Sequence, residues 1–289
     1  MVTSPPFLVS KTSKATNATR YNEQVYRAIW ATFLEKPSSS VRTEFLSKSK
    51  LTGYSSTMAA PQVGTPATSS LTADFYNALG ADYEKAFGHN EGLARFIQRS
   101  LTYFKPSSHV LDIGCGTGSP VARTIAQQGH HVRGIDIAPS MIELSRKAVP
   151  SGTFEVANML EYTPNEPVDV ILSVLSLFGL SREELEGSMS AKWADWLVPG
   201  GLLCIVTIAL DSIQPSKELY DPDRLCARKI PERFMGRVIE VDLMAKEFWI
   251  GLLENVGFEI LHTEDDFFEP PPEAQSENET HFFIIARKK

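Results

Sequence analysis

An acidic residue followed by three closely spaced glycines marks the segment of this chain best suited to bind a ligand. Residues 110–118 read Val-Leu-Asp-Ile-Gly-Cys-Gly-Thr-Gly, so Asp112 follows two apolar residues, and Gly114, Gly116 and Gly118 come at alternate positions. The apolar start predicts a buried strand, and the glycines predict a tight turn in which the backbone can approach a ligand closely. The dinucleotide fingerprint G-x-G-x-x-G places its turn at a pyrophosphate. Here Asp112 would repel such an anion, and it favours a ligand with a positive amino group.

This nine-residue run resembles the first motif of class I S-adenosylmethionine (SAM)-dependent methyltransferases, and the resemblance extends over residues 71–289. It implies that SAM is the cofactor and that the turn from Gly114 through Cys115 to Gly118 passes the amino-acid and ribose portions of SAM. It also implies that Asp112 helps to position the methionine portion. The alternative is a tight strand–helix turn that binds no ligand.

Further candidates for cofactor binding follow the second, third and fourth predicted strands. Asp136 ends the second strand, where a carboxylate can accept hydrogen bonds from ribose hydroxyls or cap the following helix, and Ile137 would offer adenine an apolar face. By the resemblance, Asn158 accepts from the adenine amino group beside the backbone N–H of Met159, although Asn158 could also be an ordinary turn residue. Ser173 begins an apolar run that would line the cleft near the sulfonium or pack in the core.

No catalytic residue is assigned, because methyl transfer from a sulfonium needs mainly in-line positioning in a dry site. Tyr76 and Tyr83 lie on the helices before the first motif, where the resemblance implies contact with the methionine end of SAM; their spacing also fits core residues. Tyr83 and His89 are the weak candidates for a catalytic group, and a surface role for His89 is the alternative. The sequence contains no metal-binding constellation, so no metal is expected.

The alternation of strands and helices predicts an α/β fold with a doubly wound, mostly parallel sheet and helices on both faces. The predicted strands are His109–Ile113, Val132–Ile137, Phe154–Ala157, Val168–Leu175, Leu202–Ile208, Phe258–His262 and His281–Ala286. The last two form an expected hairpin, which matches the seven-stranded, Rossmann-like sheet of the resembling family. Residues 71–80 and 81–104 are each predicted to be helical. Ser181 and Glu184 predict a capping box, and Pro199-Gly200-Gly201 predicts a turn. A final helix is predicted over Asp242–Val256 with Gly257 as its cap. Ligands are expected at the carboxyl ends of the strands.

Residues 1–70 differ from the remainder because they are rich in Ser and Thr and contain more basic than acidic side chains. This composition predicts an N-terminal extension that is partly disordered or carries a targeting signal; upstream sequence before a start near Met58 is a third interpretation. The domain over 71–289 is expected to carry a helical lid at 71–104. The insert at 209–241 is expected to form a lid or substrate wall, or else a solvated helical excursion.

Composition and charge narrow the classes of function. The chain has 289 residues, of which 43% are hydrophobic and 22% charged, as is typical of a globular protein. The net charge of −7 disfavours a nucleic-acid partner, and no apolar run is long enough to span a membrane. Cys115, Cys204 and Cys226 lack the spacing of a zinc site and favour a reducing compartment. We therefore expect a cytoplasmic protein, with organellar import as the alternative.

Together these patterns predict a SAM-dependent methyltransferase that acts on a small molecule through an oxygen, nitrogen, sulfur or carbon nucleophile. The acidic charge, the lid and the insert are similar to those of enzymes that tailor secondary metabolites, particularly in fungi. A protein or peptide methyltransferase with an open groove is one alternative, and a SAM-binding regulatory subunit without activity is another. The glycine spacing and Asp112 disfavour a nicotinamide dehydrogenase. The sequence identifies neither the methyl acceptor nor the oligomeric state.

Overall fold

The computed structural model describes residues 67–289, except for the side chains of residues 67–71 and 188–191. The predicted extension over residues 1–70 therefore lies outside the described residues, apart from its last four positions. Those four positions begin the first helix, α1 (Ala67–Leu79), so helical structure starts before the predicted domain boundary.

Two shorter helices follow the first one: α2 (Ala81–Phe87) and α3 (Glu91–Leu101). The prediction of continuous helix over 81–104 is wrong because Asn90 has an extended backbone, with φ −72° and ψ 102°. Its side-chain oxygen instead accepts a hydrogen bond of 2.9 Å from a backbone N–H in the first turn of α3, as an N-cap residue does. Helical geometry therefore restarts at Glu91.

Nine strands and five further α-helices lie between residues 109 and 289, together with three short 3-10 helices and one π-helical turn. The strands are β1 (His109–Ile113), β2 (His131–Asp136), β3 (Thr153–Val156), β4 (Val168–Val174), β5 (Leu197–Ile208), β6 (Cys226–Phe234), β7 (Arg237–Met244), β8 (Phe258–Phe268) and β9 (Glu279–Lys288). The helices are α4 (Val121–Gln127), α5 (Pro139–Ala148), α6 (Arg182–Glu184), α7 (Ser190–Trp196) and α8 (Lys246–Asn255). A π-helical turn over Leu185–Met189 separates α6 from α7.

Seven of the strands form one sheet in the order β3-β2-β1-β4-β5-β9-β8, and β6 and β7 pair separately. Strands β1 to β5 are parallel, whereas β9 is antiparallel to both of its neighbours. The predicted seven-stranded, mostly parallel sheet with a closing hairpin is confirmed. The order of the strands reverses between β1 and β4, which makes their carboxyl ends the topological switch point where such folds bind ligands.

Apolar side chains on alternate positions of the strands build a core layer on each face of the sheet. On β1, Leu111 packs in the layer that contains Trp193 of α7 and Trp249 of α8. Val110 points into the opposite layer with Phe96 of α3 and the residues of α4. This alternation is the reason that helices cover both faces, as the sequence predicts for a parallel sheet.

The second part of the insert forms a β-hairpin rather than helix. Strands β6 and β7 are antiparallel, and Met235 and Gly236 take φ values of 51° and 76° in the tight turn between them. The predicted helix over Asp242–Val256 starts too early, because Leu243 and Met244 are buried in β7 opposite β6. The helix itself, α8, begins at Lys246 and ends before a left-handed glycine, as expected.

Two other local predictions have different outcomes. The capping box is confirmed, because Ser181 accepts a hydrogen bond from the backbone of Glu184 and the Glu184 side chain accepts one from the backbone of Ser181. The turn expected at residues 199–201 lies within β5, where Gly200 takes a φ of 73° and the pairing with β4 shifts register between Val168 and Val170. Within residues 67–289, no helix combines the length and apolar character that a membrane span would require.

Candidate active site

A cavity of about 950 Å³ opens at the carboxyl ends of β1, β2, β3 and β4. This volume lies near the upper end of the range of about 300–1,000 Å³ that is usual for small-molecule sites. Asp112 and the glycine turn line the cavity from β1, Asp136 lines it from β2, and Asn158 and Ser176 line it after β3 and β4. The fold thus brings Asp112 and Asn158, which are 46 positions apart in the sequence, to one site at the topological switch point.

The glycine turn after β1 has the backbone that its sequence predicts. Gly114, Gly116 and Gly118 take φ values of 70°, 53° and 76°, a region that favours glycine. A Cβ on Gly114 would lie 2.3 Å from the Cβ of Ser176, so this glycine is required by packing. Apart from its two chain neighbours, no described residue has an atom within 4 Å of a Cβ on Gly116, which lines the cavity, so the turn leaves open space there for a ligand.

Asp112 is a buried acid with an unsatisfied oxygen. Its exposed fraction is 1%, and Oδ2 has no hydrogen-bond partner among the described residues. Burial, reinforced by the negative charge of Asp136, raises the pKa of the Asp112 carboxyl to about 7. A buried polar atom without a partner is costly, and a cationic ligand group would satisfy it. Asp112 can therefore receive a protonated amino group.

Asp136 ties the end of β2 to the glycine turn. Its Oδ2 accepts a hydrogen bond from the N–H of Gly116 at 2.9 Å, and its Oδ1 accepts one from the N–H of Ala138, also at 2.9 Å. Burial raises the pKa of this carboxyl, while these backbone donors act in the opposite direction. Each carboxylate oxygen retains a further lone pair for a ligand hydroxyl. Ile137, the next residue, also lines the cavity.

The segment after β3 forms a short turn at the cavity. The Oδ1 of Asn158 accepts a hydrogen bond from the N–H of Leu160 at 3.0 Å, and its amide nitrogen lies 3.3 Å from an oxygen of Glu161. Asn158 therefore stabilises a turn, which is one of the two roles that the sequence allows for it. Asn158 and Met159 both line the cavity, and the amide oxygen can accept a second hydrogen bond.

Two of the predicted cofactor residues do not line the cavity. Gly118 lies against the backbone and side chain of Ser145, which approach within 3.1 Å of where its Cβ would be. Ser173 is fully buried, and its hydroxyl is 2.9 Å from the hydroxyl of Ser176. The hydroxyl of Ser176 in turn donates to the carbonyl of Ile113. Ser173 thus helps to hold Ser176 at the wall behind the glycine turn.

Tyr76 and Tyr83 line the cavity from α1 and α2, and their ring centroids are 6.2 Å apart. Burial raises the pKa of both phenols well above the usual range, and the carboxylates of Asp136 and Glu279 add to the effect. The phenols therefore stay neutral at physiological pH, so Tyr83 is unsuited to act as a general base. His89, the other catalytic candidate, is exposed and does not line the cavity.

Another part of the cavity wall is built by the β4–α6 loop and the insert. The loop contributes Phe178 and Leu180, and the hairpin contributes Lys229, Glu240 and Asp242. Within the part of the chain that the structure describes, neither the Lys229 ammonium nor the Glu240 carboxylate has a recorded hydrogen bond or ion pair. This wall combines apolar surface with charged groups that are available to a second ligand.

Aromatic contacts join the tip of the hairpin to the N-terminal helices. The ring of Phe234, at the end of β6, lies 6.0 Å from that of Phe75, 6.4 Å from that of Tyr83 and 5.2 Å from that of Phe87. Aromatic pairs at such separations stabilise by about 0.5–1.5 kcal/mol each beyond the area they bury. The hairpin and the helices therefore meet beside the cavity.

Arg228 anchors the hairpin at its other end. The guanidinium donates to both carboxylate oxygens of Glu183 at 2.7 and 2.9 Å and to both of Asp221 at the same distances. Forked pairs of this kind fix geometry as well as contribute energy. The paired guanidinium of Arg228 holds the pKa of the Glu183 carboxyl at about 2. The cavity wall is thus held by charged pairs at the base and by aromatic rings at the tip.

The sequence analysis did not identify Asn90 as a residue of the wall, and it included Ser176 only as part of the run 173–178 that was expected to line the cleft or pack in the core. Asn90 immediately precedes a helix, a position that favours an N-cap asparagine, so a local signal for it exists in the sequence. No local pattern indicates Ser176, because its role depends on the approach of Gly114 from another strand. Among residues 67–289, no three His, Cys, Asp or Glu side chains gather as a metal site would require.

Comparison with known proteins identifies the segment that carries this geometry. A family model described as a methyltransferase domain matches residues 110–201, from β1 to the start of β5. Residues 110–201 of the chain therefore form a methyltransferase domain. The magnesium protoporphyrin IX methyltransferase of Synechocystis PCC 6803 has a similar fold, with a TM-score of 0.55 and 16% identity over 77% of this chain and 100% of that one.

Two curated relatives of this methyltransferase domain act on different compounds according to their names. Phosphoethanolamine N-methyltransferase 1 of Zea mays is 30% identical over 203 residues, which are 66% of this chain and 37% of the relative. A sterol 24-C-methyltransferase of Gibberella zeae is 25% identical over 232 residues, 72% of this chain and 58% of the relative. The chain thus spans between about a third and three fifths of the length of these relatives.

Proposed function

We propose that this chain transfers a methyl group from SAM to a small-molecule acceptor. The observation that carries the proposal is the unsatisfied Oδ2 of buried Asp112 at the wall of the cavity, next to the open space at Gly116. A ligand that suits this corner has a cationic amino group close to a part that packs against backbone. The amino-acid portion of SAM has that chemistry, whereas a pyrophosphate does not.

The other cofactor residues fit the remaining parts of SAM. Asp136 accepts hydrogen bonds from the ribose hydroxyls, Ile137 packs against adenine, and Asn158 accepts from the adenine amino group. The neutral phenols of Tyr76 and Tyr83 cover the methionine end. Bound SAM supplies an activated methyl group on a sulfonium.

The chain's own contribution to the reaction is positioning and exclusion of water. The β4–α6 loop and the hairpin hold the acceptor so that its lone pair lies in line with the carbon–sulfur bond that breaks as the new bond to the methyl carbon forms. The electron pair of the broken bond stays on sulfur, which becomes neutral. An acceptor proton of high pKa needs a base, and Glu240 is a carboxylate of the cavity wall on the hairpin with no hydrogen-bond or ion-pair partner among the described residues.

A small acceptor is favoured over a protein because the two walls meet. Phe234 packs on Phe75, Tyr83 and Phe87, so the hairpin and the N-terminal helices act together as a cover. A peptide would need an open groove at this edge. The names of the relatives, which mention phosphoethanolamine and a sterol, agree with a small acceptor. A role in secondary metabolism and the location in the cell stay predictions.

The proposal is tested with SAM labelled in its methyl group. We expect the wild-type chain to transfer label to members of a panel of small amines, acids, phenols, thiols and sterols. Asp136→Ala should reduce transfer at limiting SAM, whereas Asp195→Ala, on the exposed face of α7, should leave it unchanged. Transfer of label only to proteins or peptides would overturn the small-molecule acceptor. Binding of SAM without transfer to any acceptor would favour the regulatory-subunit alternative.

A further inference from the structure

Three polar side chains, joined by close polar contacts, run from β9 to the cavity. The Nε2 of His281 lies 2.6 Å from Oε2 of Glu279, and its Nδ1 lies 3.0 Å from the amide nitrogen of Asn90. His281 is fully buried and Asn90 is 3% exposed, yet Asn90 lines the cavity. The residues joined by the second contact are 191 positions apart.

The orientation of the Asn90 amide determines which atoms of these three side chains donate and which accept. The oxygen of Asn90 accepts from the backbone N–H of Leu93, so its nitrogen faces His281. An amide nitrogen can only donate, so Nδ1 of His281 accepts. The ring proton is then on Nε2, where it is donated to the carboxylate of Glu279. One N–H of the Asn90 amide donates to Nδ1 of His281. The second N–H has no hydrogen-bond partner among the described residues.

The position of α3 indicates which part of a ligand this second N–H meets. Leu93, in the first turn of α3, packs in the same apolar cluster as Cys115 of the glycine turn and Val121 of α4. Asn90 therefore lines the same cavity as the glycine turn, at the start of a helix that packs in the apolar cluster containing Cys115. The N-terminal N–H groups of α3, a helix of eleven residues, also favour negative charge nearby.

We infer that Asn90 is a positioning residue that donates a hydrogen bond to the carboxylate of the methionine portion of SAM, held in the required orientation by His281 and Glu279. The inference rests on the proposed function. The carboxylate of an amino acid is one carbon away from its amino group, so a site with Asp112 for the amino group needs a donor close by. The Asn90 amide provides it, and the histidine prevents the amide from turning over.

Paired ligands separate this role from a general effect on the cavity. S-adenosylhomocysteine carries the amino acid, whereas 5′-methylthioadenosine lacks it and keeps the adenosine. Asn90→Ser keeps an oxygen that can cap α3 but removes the amide. His281→Phe keeps a ring beside Phe268 but removes the acceptor, and His281→Asn can return an acceptor to the Nδ1 position. His262→Phe is the matched control, since His262 also faces a glutamate two residues away on a strand of the same sheet.

We expect Asn90→Ser and His281→Phe to weaken binding of S-adenosylhomocysteine by about tenfold or more in calorimetric titrations. Binding of 5′-methylthioadenosine should change by less than twofold in both variants. His281→Asn should recover most of the loss, and His262→Phe should bind both ligands as the wild type does. The inference is overturned if both variants bind S-adenosylhomocysteine normally or lose both ligands equally. A wild-type chain that binds neither ligand overturns the proposed function and this inference together.

Discussion

The backbone N–H of Gly116 donates a hydrogen bond to Oδ2 of Asp136 over 2.9 Å, so the turn after β1 is held by the residue that ends β2. The same carboxylate accepts from Ala138 with its other oxygen. Asp136 therefore shapes the backbone that faces a ligand and offers its remaining lone pairs to that ligand. A substitution at Asp136 is therefore expected to affect both functions.

Asp136→Asn should weaken binding of SAM and also loosen the glycine turn. An amide has one oxygen, so one of the two backbone N–H groups would face an NH₂ group and lose its acceptor. We expect losses of about 1–3 kcal/mol in both the binding free energy and the free energy of unfolding. Calorimetry and urea denaturation measure the two. Unchanged binding and stability would contradict this account of Asp136.

Affinity for SAM should rise with pH through the range in which Asp112 ionises. The pKa of this carboxyl is about 7 in the free protein, and a cationic amino group binds the ionised form. Below pH 7 each further pH unit should cost up to about tenfold in affinity, because the ligand must displace a proton. Titrations at pH 5.5, 6.5 and 7.5 test this. Asp112→Asn should bind weakly with a flat pH profile, and an equally steep profile in that variant would contradict the assignment.

The same burial should make the ligand-free protein less stable as pH rises. The unfolded state releases the Asp112 proton near 3.8, its ordinary value, and the folded state holds it to about 7. Between these values the folded state binds more protons, so the free energy of unfolding falls with increasing pH. Asp112→Asn removes this fall. We expect it to stabilise the ligand-free chain at pH 8 by about 1–3 kcal/mol, as measured by urea denaturation; destabilisation at pH 8 would argue against a buried unpaired charge.

Much of this site could be predicted from sequence because its signals are local. The strand, the glycine turn and the acidic residues at 112 and 136 lie within one strand–helix–strand unit. Because β1 and β2 are parallel neighbours, their carboxyl ends lie at the same edge of the sheet. The parts of the cavity wall that depend on the hairpin and on Asn90 could not be predicted. The hairpin depends on pairing between residues such as Cys226 and Met244, and the contact between Asn90 and His281 crosses 191 positions. Such contacts leave no periodic trace in the chain.

Glu240→Gln should impair the use of the acceptor without affecting SAM. Glu240 lines the cavity from the hairpin, whereas the proposed cofactor residues lie at the carboxyl ends of β1, β2 and β3 and on the N-terminal helices. We expect kcat/KM for the acceptor to fall by about 10- to 100-fold, the lower part of the range for losing a general base. The affinity for S-adenosylhomocysteine should remain within twofold of the wild type. A selective loss of cofactor affinity would contradict the division of the cavity into two parts.

Phe234→Ala should open the cover over the cavity. The substitution removes the ring contacts with Phe75, Tyr83 and Phe87. We expect a loss of about 1–3 kcal/mol in the free energy of unfolding, and faster dissociation of S-adenosylhomocysteine in stopped-flow measurements. Val238→Ala, at a largely exposed position of the same hairpin, is the control. Equal dissociation rates in both variants would contradict a covering role for the hairpin tip.

The most direct test of the central claim is calorimetric titration of the wild-type chain with SAM, S-adenosylhomocysteine and NAD, repeated with Asp136→Ala. The account predicts binding of SAM and S-adenosylhomocysteine at micromolar concentrations, a loss of about 1–3 kcal/mol in Asp136→Ala, and no binding of NAD. A folded protein that binds neither SAM nor S-adenosylhomocysteine, or that binds NAD in their place, would contradict it.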